Sequence, residues 1–170
     1  GAGAAILAPA GGPPYVRAVT FGRVRDYNVR DINNMGAAMA PAACSTIRAH
    51  FADTRRSPAD YDRIITGDLG RVGRDLLLGL LRENGLDLGD RLGDCGMLVF
   101  DPERQDVHSG GSGCGCSAIV LCGELLGNLV RGTWKRILFC GTGALLSPTS
   151  TQQGLPIPGV CHPVAICNGR

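Results

Sequence analysis

Four glycines fall within the seven residues Gly110-Gly111-Ser112-Gly113-Cys114-Gly115-Cys116. Glycine lets successive N–H groups converge, and a helix opened by such a loop adds partial positive charge from its dipole. A small anion is one ligand that chemistry suits. Close helix–sheet packing that tolerates only glycine is the other use of the same composition. Neither phosphate fingerprint fits: no Gly-Lys-Ser/Thr follows, and no strand-proximal acidic residue stands about 20 positions on.

Three more places could contribute to a site. Gly141-Thr142-Gly143 follows an apolar strand, at the carboxyl end where open α/β sheets receive ligands. Asp68, in Gly67-Asp68-Leu69-Gly70, is placed likewise after another strand; it is either a base or cation ligand, or a cap for the next helix. His108 directly precedes the glycine loop and is the best placed of the three histidines. The cysteines do not make a metal site. On a helix, Cys114 and Cys116 point about 200° apart and Cys116 and Cys122 about 240° apart, so no single ion faces all three.

The elements that must position these residues alternate along the chain. Strands are expected at Ala4–Leu7, Tyr15–Val24, Tyr61–Thr66, Met97–Phe100, Arg136–Cys140 and Gly159–Cys167. Asn33-Asn34 is suited to cap a helix reaching about Phe51, with Pro41 at a kink or first turn. A second helix spans about Val72 to Glu83, its apolar face made by Leu76, Leu77, Leu80 and Leu81 and its end marked by Gly85. The helix opened by the glycine loop runs to about Val130. Its apolar residues cover nearly every direction, so it should be buried on most sides. The alternation predicts an α/β fold with a mixed sheet.

Composition narrows the function. The chain has 170 residues, 44% hydrophobic, enough for a real core and too apolar for disorder. Seventeen basic against 15 acidic residues give +2, far from a nucleic-acid binder. No run of 18 apolar residues predicts a membrane span. The opening Gly1-Ala2-Gly3-Ala4-Ala5 has no basic leader, and cysteines sit in apolar runs such as Phe139-Cys140 and Ile166-Cys167. A reduced, intracellular compartment is therefore expected.

Several segments together resemble one family. They are Asn33 to Ala43, Ile64 to Gly70, Asp94-Cys95-Gly96, Gln105 to Ala118, Gly141 to Pro148 and Gln152 to Gly159. The sequence is identified on these as similar to the stage V sporulation protein AD family, thiolase-like proteins of spore-forming bacteria. The resemblance implies a C-terminal thiolase-like half over residues 1–170, a fragment of a larger two-half protein, with a mixed five-stranded sheet and helices on both faces. It also implies binding of dipicolinic acid, alone or as its calcium chelate, for uptake into the developing spore.

On that expectation the ligand-binding residues are Gly110, Gly111, Ser112, Gly113, Gly141, Thr142 and Gly143, with Asp68 and His108. No cofactor and no metal are expected. The partners implied are other stage V sporulation A-operon proteins at the spore inner membrane, where the protein would lie peripherally; a homodimer is a further expectation. Condensing-enzyme relatives carry a histidine after the strand equivalent to Tyr61–Thr66 and an asparagine at the second loop. Here those places read Thr66-Gly67-Asp68 and Gly110-Gly111-Ser112-Gly113, which points away from catalysis. The alternative is an acyltransferase or condensing enzyme working with unusual residues.

Overall fold

Consecutive apolar residues in the central strands go to opposite faces of one sheet. A computed structural model describes residues 1–101, 103–111 and 113–169. Its strands are β1 (Tyr15–Val19), β2 (Arg63–Thr66), β3 (Leu92–Asp94), β4 (Arg136–Ala144) and β5 (Gly159–Cys167), in the order β1-β5-β4-β2-β3. β2 runs parallel to β3 and β4, while β5 is antiparallel to β4 and β1, so the sheet is mixed.

On one face, Ile64, Leu138, Cys140, Cys161 and Ala165 pack against helices α1 (Met35–Thr54) and α2 (Gly70–Glu83). On the other, Ile65, Ile137 and Ile166 meet Cys95 of α3 (Cys95–Val99) and the helical stretch from Cys116 to Val130. Helices therefore cover both faces, as the period-2 alternation of buried side chains requires. No helix among the described residues is long and apolar enough to cross a membrane.

α1 starts where the Asn34 side chain accepts the Ala37 N–H, and it ends at Arg55 in the left-handed region, φ 54°. Pro41 lies inside it. The first turns of α1 and α2 touch backbone to backbone. A Cβ on Gly73 would stand 2.8 Å from the Gly36 Cα, a contact no side chain fits.

The stretch from Cys116 to Val130 is three segments in one helix: α4 (Cys116–Val120), a π turn (Leu121–Leu125) and α5 (Leu126–Val130). Its buried apolar residues are Cys116, Val120, Leu125 and Leu129. Their spacing is four, five, four, and the five falls on the π turn. A wider turn there keeps one seam on the sheet, where a regular helix would rotate Leu125 and Leu129 away. The expected burial on most sides gives way to this single seam, with Ser117 to Ile119 half-exposed and Val130 exposed.

Several expected boundaries move. Ala4–Leu7 forms no strand, since no neighbour pairs with it among the described residues. Met97–Phe100 belongs mostly to α3, because the Asp94 side chain caps the Gly96 N–H and turns the chain into a helix; the strand lies just before, at β3. β1 stops at Val19. Gly141-Thr142-Gly143 does not end a strand: it continues β4, opposite His162, Cys161 and Val160 of β5.

Candidate functional site

The parallel strands β2 and β3 end side by side, with Thr66 in register with Asp94. Asp94 is only 1% exposed. Its Oδ2 accepts the Thr66 hydroxyl at 2.7 Å and the Leu69 N–H at 2.7 Å. Its Oδ1 accepts the N–H groups of Gly70 at 2.9 Å and Gly96 at 3.0 Å. One carboxylate thus satisfies amides at the start of both α2 and α3, where helix N–H groups lack partners of their own. Burial pushes the Asp94 carboxyl up; the hydrogen bonds from Thr66, Leu69 and Gly70 pull it back, and the charge of Asp68 adds to the upward push.

Asp68, two residues past the end of β2, is half-buried and turned toward the glycine loop. Its Oδ2 accepts the Gly113 N–H at 3.0 Å, and its own N–H donates to Thr142 Oγ1 at 3.2 Å. Its Oδ1 lies between two glycines. A Cβ on Gly111, where φ is +89°, would come within 2.7 Å of that oxygen, and a Cβ on Gly96 would collide with it as well. Only residues without side chains leave this seat open. The Gly111 N–H donates to Gly96 O at 3.2 Å and the Gly110 N–H to Val107 O at 2.8 Å. The donors of Gly110, Gly111 and Gly113 are thus engaged, the first two by backbone carbonyls and the third by the Asp68 carboxylate.

The expected residues therefore divide. Asp68, Gly111, Gly113 and Thr142 meet at the carboxyl ends of β2 and β4. Gly110 stands one residue further, against the Gly96 carbonyl. Gly141 and Gly143 flank Thr142 within β4, and Ser112 lies outside the described residues. His108 is exposed in a left-handed conformation, φ 50°, with Nε2 4.0 Å from Asp106 Oδ1. Its carbonyl, not its ring, is held, accepting from Arg71 Nη2 at 2.6 Å.

Sequence reasoning missed two residues. Asp94 has no signal of its own, because the three-residue strand it closes is too short for any sequence period. Arg71 had none, because seventeen basic residues offer no way to choose among them. Arg71, Met97, Phe100, Val107 and His108 border a depression with about 10 Å³ of space, room for one water. A separate groove of about 460 Å³ runs between α2 and the turn at Gly89–Arg91, lined by Arg74, Asp75, Leu78, Gly79, Arg82, Gly89 and Asp90.

The thiols near the glycine loop are poor nucleophiles or exposed. Burial pushes Cys95 far above its ordinary value, so it carries essentially no thiolate near neutral pH. Cys114 is exposed. No group of three or more His, Cys, Asp or Glu placed to hold a metal occurs among the described residues.

On the face covered by α1, His50 is fully buried. Nδ1 lies 2.8 Å from Thr20 Oγ1 and Nε2 2.7 Å from the Tyr61 hydroxyl, which also accepts from Arg56 Nη1 at 3.1 Å. Burial, then the Arg56 charge, push the His50 imidazole down, while burial pushes the Tyr61 phenol up.

Comparison with known proteins gives a consistent result. The family described as Stage V sporulation protein AD (SpoVAD) matches residues 1–167. Stage V sporulation protein AD of Bacillus subtilis (strain 168) is 43% identical over 164 residues, which are 96% of this chain and 48% of that protein. The chain spans about half the length of the curated relative it matches.

Proposed function

The chain belongs to the stage V sporulation protein AD family, a family of sporulation proteins, and on that premise we propose that it is a non-catalytic binding protein for dipicolinic acid or its calcium chelate. The observation that carries this reading is the carboxylate seat at the ends of β2 and β4. Gly96, Gly111 and Gly113 already hold one carboxylate, that of Asp68, by an N–H donor and by the space that missing side chains leave. A planar dicarboxylate presents the same group twice. As the free acid it would compete with Asp68 for the Gly113 N–H. As the calcium chelate it would offer a cation to the Asp68 oxygens, hard ligands of the kind calcium takes. The adjoining depression holds one water's volume, so the ligand rests over the exposed Gly113–Cys114 side of the loop rather than inside it.

Uptake into the developing spore, with other stage V sporulation A-operon proteins at the spore inner membrane and with a second copy of the protein, belongs to the same reading. Acyl transfer is disfavoured because Thr66-Gly67-Asp68 and the glycine loop stand where condensing-enzyme relatives carry a histidine and an asparagine.

Isothermal titration calorimetry of the full-length protein with dipicolinate, with and without calcium, tests the proposal. Saturable heat lost on deleting Gly110–Gly113 is expected. Binding that survives the deletion would sink the site, and no heat under either condition would sink the reading. An acyl adduct on any cysteine after incubation with an acyl-CoA analogue, seen by mass spectrometry, would restore the enzyme.

A further inference from the structure

Among the described residues, the edge of the sheet at β1 is open and carries charge without partners. β1 pairs with β5 on one side, and no described strand pairs with its other side. The chain then continues beside β5 as an irregular edge, with Thr20 N–H donating to Pro163 O and Arg25 exchanging two backbone bonds with Gly159. From Tyr15 to Tyr27 it displays Val16, Val19, Phe21 (85% exposed), Val24 and Tyr27. Between them stand Arg17, Arg23 and Arg25, all exposed.

None of the ion pairs or side-chain hydrogen bonds among the described residues engages these three guanidinium groups. The nearby acids serve turns instead: Asp26 Oδ1 accepts the Asn28 N–H and Asp31 Oδ1 the Asn33 N–H. Three arginines against Asp26 give this stretch +2, equal to the net charge of the whole chain.

We propose that this edge receives an extended peptide segment of alternating acidic and apolar residues, added as a strand beside β1. Three observations select that occupant. An unpaired strand edge offers both N–H donors and C=O acceptors, which a peptide backbone matches and a phosphate backbone, all acceptors, does not. The arginines supply charge complementarity for acidic side chains, and Val16, Val19, Phe21 and Val24 supply apolar contacts. The same charges oppose a second copy, since two such edges side by side would set arginines against arginines. The register shift between Val16 and Ala18 bulges the strand at Arg17, a feature that discourages indiscriminate pairing. Eleven residues from Tyr15 to Arg25 span about 35 Å when extended, so a partner segment of about ten residues fits.

Fluorescence anisotropy of the full chain with a labelled ten-residue peptide of alternating Glu and Val tests this. Saturable binding is expected. It should weaken at least tenfold with Lys in place of Glu, with alternate backbone nitrogens of the peptide methylated, and with the triple variant Arg17→Glu, Arg23→Glu, Arg25→Glu. The variant should keep its far-UV circular dichroism, since all three side chains are exposed. Absence of saturable binding overturns the proposal, as does equal binding by the variant or by the methylated peptide. Arginine-dependent capture by phosphatidylglycerol vesicles or single-stranded DNA, without peptide binding, overturns it in favour of those surfaces. A dimer in light scattering that the triple variant abolishes overturns it in favour of self-pairing.

Discussion

Asp94 and Asp68 stand at the ends of neighbouring parallel strands and differ in almost everything else. Asp94 is buried and its two oxygens accept four hydrogen bonds, three from backbone amides that begin helices. Asp68 is half-buried and sits against a loop of glycines rather than against helix ends. The first carboxylate holds two βα turns in one geometry; the second accepts the Gly113 amide of the glycine loop. The two carboxylates thus differ in burial and in the groups they hold, not in residue type.

Removing Asp94 should break that contrast most severely. Asp94→Ala strands the amides of Leu69, Gly70 and Gly96 in the interior, while the Thr66 hydroxyl keeps the Gly93 carbonyl; at about 1–3 kcal/mol for each buried group left unsatisfied, a loss of roughly 3 kcal/mol or more is expected. Urea denaturation measures it, and a loss under about 1 kcal/mol would show that Asp94 is not the clamp. Gly96→Ala comes next. Its methyl meets Asp68 Oδ1 and the Gly111 backbone, so the seat must open, at about 1–3 kcal/mol by the usual penalty for overpacking. Dipicolinate heat should vanish with it.

The buried polar network under α1 supplies a third probe, driven by pH. His50 is held neutral, with its folded pKa below the unfolded value of about 6.5. As pH falls below about 6.5 the unfolded chain takes up a proton that the folded chain refuses. Stability is therefore complete above that pH and declines below it. Thermal unfolding between pH 7.5 and 5.5 should show the fall, and His50→Gln should flatten it. The smallest change in stability belongs to Asp68→Asn, roughly within 1 kcal/mol because the side chain is half-exposed. Its effect should appear in ligand binding instead, which sharpens the division between the two aspartates. An equal loss of stability from Asp68→Asn and Asp94→Asn would erase it.

The sheet was legible where apolar runs were long and bounded, as at Arg136–Cys140 and Gly159–Cys167. α2 was legible from the spacing of its leucines, and α1 from Asn34. The failures share a cause. β3 has three residues, one of them glycine, too few for any period, and the apolar run after it was claimed by a helix because Asp94 caps Gly96. Gly141 to Gly143 remain extended because β5 runs alongside to Gly159, a long-range pairing that glycine content does not reveal. Asp68 could be found from its glycine neighbours. Asp94 could not be read the same way, since most of its partners are backbone amides that look alike in every sequence.

The π turn at Leu121–Leu125 has a consequence for length. A helix with buried positions spaced four, five, four is a regular helix plus one residue, absorbed where it sits. Deleting Gly123, which is exposed and has open space around its Cα, would convert the spacing to four, four, four and leave the seam aligned. The same deletion inside α2 would swing Leu81 off the sheet by about 100°. Within this one helix, then, gaining or losing a residue is a local change of winding, and the segment offers the fold a place where chain length can vary without the core being redrawn.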